Sequence, residues 1–405
     1  MLETHGRVGA ANPGPPLRFG IFLPPMHPVG QNPTLSIKRD LELIEHLDAL
    51  GFDEAWIGEH HSSGFETIAS PEVFIAAAAE RTKRIKLGTG VNSLPYHHPL
   101  ILADRILMLD HLTEGRMMFG VGPGQLTSDA SMLGIDPGEQ RRMMEESFDV
   151  IMALFRGEVV SAKTDWFTVT EGRLQLRPWT YPMFDIAVAA SISPSGPKVA
   201  GRHGVGLLSI AATTPEGFAM LAAHWAVMEE QAADHGTTVD RRNWRMMGPM
   251  HVAETEQEAL DNCRYGLERV FDYLGHVVPT GPVTATTYEG RVQEMNASGS
   301  AVIGTPEMAV AQIQRLVDQS GGFGAFLCFG GDIADLEATK RSYELIAQYV
   351  MPHFQHQLVA PQASYEWILG ADHAFVKATI NAIDRSAAEY ASERGRPAPP
   401  KLAGD

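Results

Sequence analysis

The sequence predicts an α/β protein built as a (β/α)8 TIM barrel. Three observations predict it: eight short apolar runs spread over residues 17–329, helix-patterned segments between most of them, and a strand count that lets a parallel sheet close on itself. The stretch that organises the rest is DEAWIGEHH, residues 53–61. Its apolar pattern runs from Ala55 to Gly58 and then stops in a carboxylate and two imidazoles, Glu59, His60 and His61. Side chains alternate along a strand, so Trp56, Gly58 and His60 share one face and Ala55, Ile57 and Glu59 the other. Barrels do their chemistry at the C-terminal ends of their strands, where these polar residues fall. A doubly wound open sheet is the competing architecture.

Residues 1–16, rich in Gly and Pro and without an apolar core, read as a disordered lead-in, and the barrel occupies 17–350. Leu17 to Leu23 is the first strand, closed by Pro24-Pro25. Apolar residues at 37, 41, 44 and 47 give helical spacing over 35–50, and Gly51 ends that helix. Ser70-Pro71-Glu72 opens an Ala-rich helix, a start repeated at Thr214-Pro215-Glu216 and Thr305-Pro306-Glu307. Arg84 to Val91 is the third strand, and His98-Pro99 opens the next helix. Arg116 to Val121 is the fourth strand, and 141–155 is a helix. Residues 159–177 read as an inserted hairpin turning around Glu171-Gly172. Strands five to eight fall at Asp185 to Ala190, Val205 to Ile210, Trp244 to Val252 and Ala325 to Phe329. Helices are expected over 195–203, 215–235, 256–273 and 306–319. Residues 275–300 lack periodicity and read as a long lid-like loop. Residues 351–405 form a C-terminal extension with a helix over 372–392.

Composition narrows the function. Asp plus Glu outnumber Lys plus Arg by 49 to 32, a formal net charge of -17, which argues against nucleic acid or an anionic membrane as the main partner. Two cysteines, Cys263 and Cys328, lack metal-like spacing and fit a reducing cytoplasm. No run is long enough to span a bilayer.

Several motifs occur in a telling order: EHH after strand two, LGTGVNSLPYHHP on strand three, MFGVGPG on strand four, SDASMLGIDP at 128–137 and TDWFTV at 164–169. With them the chain resembles the bacterial-luciferase-like flavin monooxygenases, within them the limonene-oxidising subgroup, over roughly residues 17–350. The resemblance implies a reduced flavin, FMN or less directly FAD, lying across the barrel mouth. Dioxygen adds to its C4a carbon, and the resulting peroxyflavin oxygenates a small hydrophobic substrate. It also implies an uncommon cis peptide at Thr89-Gly90 against the flavin ring.

The residues can be read toward that expectation one by one. Thr89, Gly90, Asn92, Gly122 and Gly124 lie where an isoalloxazine would approach backbone, though close strand packing explains such glycines equally well. Ser191, Ser193 and Ser195 place three hydroxyls before a helix, a donor set suited to one phosphate. Ala190 stands where the family has a carboxylate. The GxGxG at 120–124 lacks dinucleotide spacing, so electrons are expected from a separate NAD(P)H:flavin reductase. His60 matches the family's catalytic histidine and can give or take a proton near neutral pH. Glu59 and His61 read as support, and His97-His98 as a helix start plus one wall residue. Met26, His27 and Phe65 are the expected walls of the substrate pocket. A homodimer or larger homo-oligomer is expected.

The chemistry left open is epoxidation, Baeyer–Villiger or alkanal and alkane oxygenation, or hydride transfer with a deazaflavin (F420) in place of FMN. A non-catalytic flavin-binding protein is a further reading. A zinc hydrolase on the same barrel is a remote alternative, because EHH and YHHP bring four histidines together while no late strand supplies the remaining ligands.

Overall fold

The computed structural model describes residues 15–277 and 284–402, in two units: residues 15–355, and 356–402 of the C-terminal part. The expected lead-in up to residue 14 and the centre of the 275–300 loop, 278–283, lie outside the described residues. From the N-terminus the first unit runs β1 (Arg18–Leu23), α1 (Pro33–Leu50), β2 (Glu54–Ile57), α2 (Pro71–Ala79), β3 (Lys86–Thr89), β4 (Asn92–Ser93), α3 (Pro99–Leu112) and β5 (Met117–Gly122). There follow α4 (Thr127–Met132), α5 (Gln140–Phe155), β6 (Val160–Lys163), β7 (Thr168–Gly172), β8 (Asp185–Ala190), α6 (Ser195–His203), β9 (Gly206–Ser209) and α7 (Pro215–His235). The rest comprises β10 (Trp244–Gly248), β11 (Met250–Val252), α8 (Glu256–Cys263), α9 (Leu267–Val277) and α10 (Tyr288–Ser298). It ends with β12 (Val302–Gly304), α11 (Pro306–Ser320), β13 (Ala325–Phe329), α12 (Leu336–Leu345) and α13 (Met351–Phe354).

Eight parallel strands close the barrel in the order β3-β2-β1-β13-β10-β9-β8-β5, and β5 returns to β3. Alternation decides which residues fill it. Trp56, Met118, Ala187, Leu208 and Leu327 form the interior cluster, while neighbours such as Ile57, Phe119 and Val188 pack outward under the helices. Helix ends follow local chemistry. Asn32 caps α1 by accepting from the Thr34 and Leu35 amides, a contribution of about 1 kcal/mol, and Gly51 ends it at φ 88°.

Several expectations change in detail. The seventh strand splits at Pro249, which has no N–H to continue a ladder; β11 leaves the barrel and pairs with β12, a strand too short to show alternation. The helix expected over 256–273 breaks into α8 and α9. Residues 288–298, expected to be irregular, are α10, capped by Thr287, whose hydroxyl accepts from the Gly290 amide. The inserted hairpin forms as β6 and β7, but it turns at 164–167, where the Thr164 hydroxyl accepts from the Trp166 and Phe167 amides. Among the described residues no helix is long and apolar enough to cross a membrane. The second unit holds α14 (Val359–Gly370) and α15 (Ala374–Glu393), with Trp367 and Phe375 in ring contact at 4.7 Å.

Candidate active site

Chain reversal after β2 carries His60 to the barrel mouth, where its amide donates to the Ile68 carbonyl at 3.1 Å. Both imidazole nitrogens face carboxylates. Nε2 lies 3.1 Å from Glu66 Oε2, and Nδ1 lies 3.3 Å from Asp129 Oδ2. Glu66 belongs to the loop after β2, and Asp129 to the first turn of α4. The other Asp129 oxygen accepts from the His61 amide and the Ser62 hydroxyl. The other Glu66 oxygen accepts from the Tyr273 hydroxyl of α9 at 2.8 Å. A neutral imidazole has one N–H and cannot satisfy two anions, so this geometry favours the doubly protonated ring. Burial opposes that charge, but the Asp129 hydrogen bond and the Glu66 and Asp129 charges prevail and raise the His60 pKa above its ordinary 6.5.

A second cluster lies beside it. Glu59, wholly buried, accepts from the Ser93 amide at 2.8 Å and faces Nε2 of His61 at 3.0 Å and of His97 at 2.6 Å. Burial opposes its charge, yet these partners hold its pKa down to about 2. His97 is therefore more than a wall residue. It ties the start of α3 to the end of β2. Asn92 joins the cluster by donating to Glu59 at 3.4 Å and to Glu72 at 3.2 Å, and among the described residues its buried Oδ1 has no partner. Among the described residues, no group of three or more His, Cys, Asp or Glu could hold a metal ion.

A cavity of about 290 Å³ opens at the ends of β5 and β8. Ser191, Ser193, Ser195, Gly124 and Arg141 line it. Among the described residues the Arg141 guanidinium has no hydrogen-bond or ion-pair partner. Glu145 also reaches this wall, 3.4 Å from Arg202. His224 of α7 holds the serine loop from behind, its Nε2 3.0 Å from the Ile192 carbonyl. Burial lowers its pKa, keeping it neutral. Arg141 and His224 were missed because each lies on a helix whose pattern reads as amphipathic.

The glycines have a nearer cause than a ligand. A Cβ on Gly90 would stand 2.9 Å from Trp56 Cβ, and one on Gly120 would collide with the Thr89 carbonyl. Thr89 locks these strands together, its hydroxyl donating to the Gly120 carbonyl at 2.9 Å. Gly124 is different: its φ of +95° is a conformation that L side chains rarely adopt. Gly122 borders Val91 and Ala189. The cis peptide is Gly90-Val91, one residue later than Thr89-Gly90, because the Gly90 amide still donates in register to the Ile57 carbonyl.

The residues expected as substrate walls, Met26, His27 and Phe65, are all buried. His27 is buried, with Nε2 2.6 Å from Asp40 and Nδ1 against the Thr67 hydroxyl, so it fastens the β1 loop to α1. Met26 and Phe65 are buried in a satellite core with residues of α8, α9 and α10. The Phe65 ring stacks on Tyr273 at 4.4 Å.

Comparison with known proteins gives the family. The profile of the luciferase-like monooxygenases matches residues 17–322. The chain is 51% identical to limonene 1,2-monooxygenase of Rhodococcus erythropolis over 394 residues, 97% of this chain and 99% of that protein. It is 45% identical to 4-hydroxyprotoasukamycin monooxygenase of Streptomyces nodosus subsp. asukaensis over 356 residues, 87% of this chain and 96% of that one. Among solved structures, the oxygenating constituent of 3,6-diketocamphane monooxygenase from Pseudomonas putida, a type II Baeyer–Villiger enzyme in complex with FMN, superposes with a TM-score of 0.70 at 25% identity, covering 83% of this chain and 98% of that one. The chain belongs to the luciferase-like monooxygenase family.

Proposed function

We propose that this chain is the oxygenating component of a two-component flavin monooxygenase that epoxidises a small hydrophobic alkene of the limonene type. The observation that carries the reading is the 51% identity to limonene 1,2-monooxygenase over nearly the whole of both chains. Reduced FMN, supplied by a separate reductase, activates O2 when bound. The donor set of the cavity fits its phosphate: three serine hydroxyls and the Arg141 guanidinium, beside the N-terminus of α6. Thr89, Gly90, Asn92, Gly122 and Gly124, of which Gly124 borders the cavity, are the residues assigned in this reading to the flavin between its phosphate and His60.

His60 is the residue assigned to the chemistry. Oxygen transfer to an alkene needs an electrophilic oxygen that keeps its proton, whereas attack on a ketone needs an anionic one. A doubly protonated imidazole whose two N–H groups are held by Glu66 and Asp129 cannot take the proton from that oxygen, which favours epoxidation over Baeyer–Villiger chemistry. Glu59, His61 and His97 shape the floor beneath it. The chain works in the cytoplasm, where the buried free thiols of Cys263 and Cys328 stay reduced. It acts as a homodimer, using a stripe of exposed apolar residues at helical spacing on α3, Ile101, Met108 and Leu112, with Val73 of α2.

The test supplies limonene, chemically reduced FMN and 18O2, and analyses products by mass spectrometry. The reading expects limonene epoxide carrying one labelled oxygen. Oxygen uptake that limonene does not increase, with no labelled product, overturns it.

A further inference from the structure

His60 is fixed by the loop after β2 and by α4, and one of the contacts has no place yet in the chemistry. Glu66 is 4% exposed at its side chain and stands with one oxygen on His60 and the other on the Tyr273 hydroxyl. Its backbone bridges to Met26, so the carboxylate is carried on a tied strand segment rather than a free loop. Tyr273 is fixed in turn by its stacking on Phe65. The result is a continuous chain of polar contacts, Tyr273 to Glu66 to His60 to Asp129, reaching from α9 through the mouth to α4.

We propose that Glu66 and Tyr273 are positioning residues whose contact chain keeps His60 an imidazolium, with its Nε2–H directed by Glu66. The inference rests on the reading that His60 does its work at the mouth as an imidazolium, and it extends that reading to Glu66 and, on α9, to Tyr273. The charged and titratable groups facing His60 are Glu66 from the loop after β2, Asp129 from α4 and Glu59 from the end of β2. Those facing Glu66 are His60, Asp129 and Tyr273 from α9. Asp129 already has donors from His61 and Ser62, so Glu66 is the anion whose charge depends most on a single further donor. Burial raises the Glu66 pKa, and the His60 charge and the Tyr273 hydroxyl act against that rise. Without the phenol, Glu66 takes a proton more readily, and His60 loses an anionic partner. Tyr273 thus acts on His60 through Glu66.

The test follows the His60 ring by NMR in the full-length, flavin-free protein labelled with 13C-histidine, its resonance assigned from a His60→Asn spectrum. Glu66→Gln keeps the shape and removes the charge, and should lower the His60 titration midpoint by about one pH unit, a tenfold loss of imidazolium at a given pH. Tyr273→Phe should lower it by less, and Glu66→Asp should restore part of it. A Glu66 that merely ties the loop to α9 would reduce thermal stability in these variants and leave the midpoint where it was. An unchanged midpoint in a folded Glu66→Gln protein overturns the inference, and an unchanged midpoint in Tyr273→Phe removes Tyr273 from it. These shifts need no substrate, so their failure is separable from absence of labelled epoxide, which would sink the oxygenase reading alone.

Discussion

The two ends of this barrel both bury charge, and they do it with different ions. At the N-terminal end Arg245, wholly buried, lies 2.8 Å from Glu54 and 2.9 Å from Asp185, and its guanidinium stacks over the Trp56 ring at 5.0 Å. Arg18 reaches Glu54 at 2.8 Å, and Lys86 reaches Asp185 at 3.2 Å. Trp56 Nε1 donates to Glu54 at 2.9 Å. The cations there are arginine and lysine, permanent at any working pH. At the mouth the groups facing Glu59, Glu66 and Asp129 are the imidazoles of His60, His61 and His97. A lower end closed by permanent charge holds the fold and does nothing else. A mouth closed by imidazoles changes its charge near neutral pH, which is what proton chemistry requires.

Breaking the lower end should give the largest effect on stability. Arg245→Met leaves Glu54 buried and without its main partner, at a cost of about 3–5 kcal/mol in chemical denaturation. Activity per folded molecule should survive. Breaking the mouth should do the reverse: His60→Asn should keep FMN binding and lower product yield by about 10²-fold or more. A variant that binds FMN and makes product normally would remove His60 from the chemistry. Between these lies the phosphate cradle. Ser191→Asp places an anion against the FMN phosphate and should weaken FMN by about tenfold in a fluorescence titration, while denaturation is unmoved. Unchanged FMN affinity would put the phosphate elsewhere.

The pH dependence of stability distinguishes the two signs of shift. Burial opposes charge on Glu54 and Glu59, but their partners hold both near 2, below the ordinary 4.5. Their contribution is present above pH 4.5 and is lost as pH falls toward 2. His60, raised above 6.5 against its burial by Asp129 and Glu66, contributes below pH 6.5 and loses that contribution as pH rises through the raised value. Denaturation across pH should show both flanks in the wild type, and His60→Asn should shrink only the alkaline one, to which His61, raised by its hydrogen bond to Glu59, also contributes.

Much of this was legible in the residues. Alternation in DEAWIGEHH placed Trp56 inside the barrel and put polar groups at the strand's end, and the eight apolar runs marked the closed sheet. Long-range assembly was not legible. Glu66, Asp129 and Tyr273 are ordinary polar residues in sequence, from a loop and two helices far apart in the chain, and only folding brings them to one carboxylate–imidazole chain. Asp129 lay inside the SDASMLGIDP motif without a role. Arg245 was hidden in a strand otherwise apolar, because a charge inside a barrel is legible only when its partner, Glu54, is known to face it. The packing of Met26 and Phe65 was not legible either: both are apolar near the mouth, and residues of α8 to α10 pack against them.

The most direct measurement is the titration of His60 itself in the wild-type, flavin-free protein, by NMR of 13C-labelled histidine. The account predicts a midpoint above 6.5, with an imidazolium as the form present at neutral pH. A midpoint at or below 6.5 would show that the two carboxylates do not hold the charge, and would contradict the contrast between the two ends of the barrel.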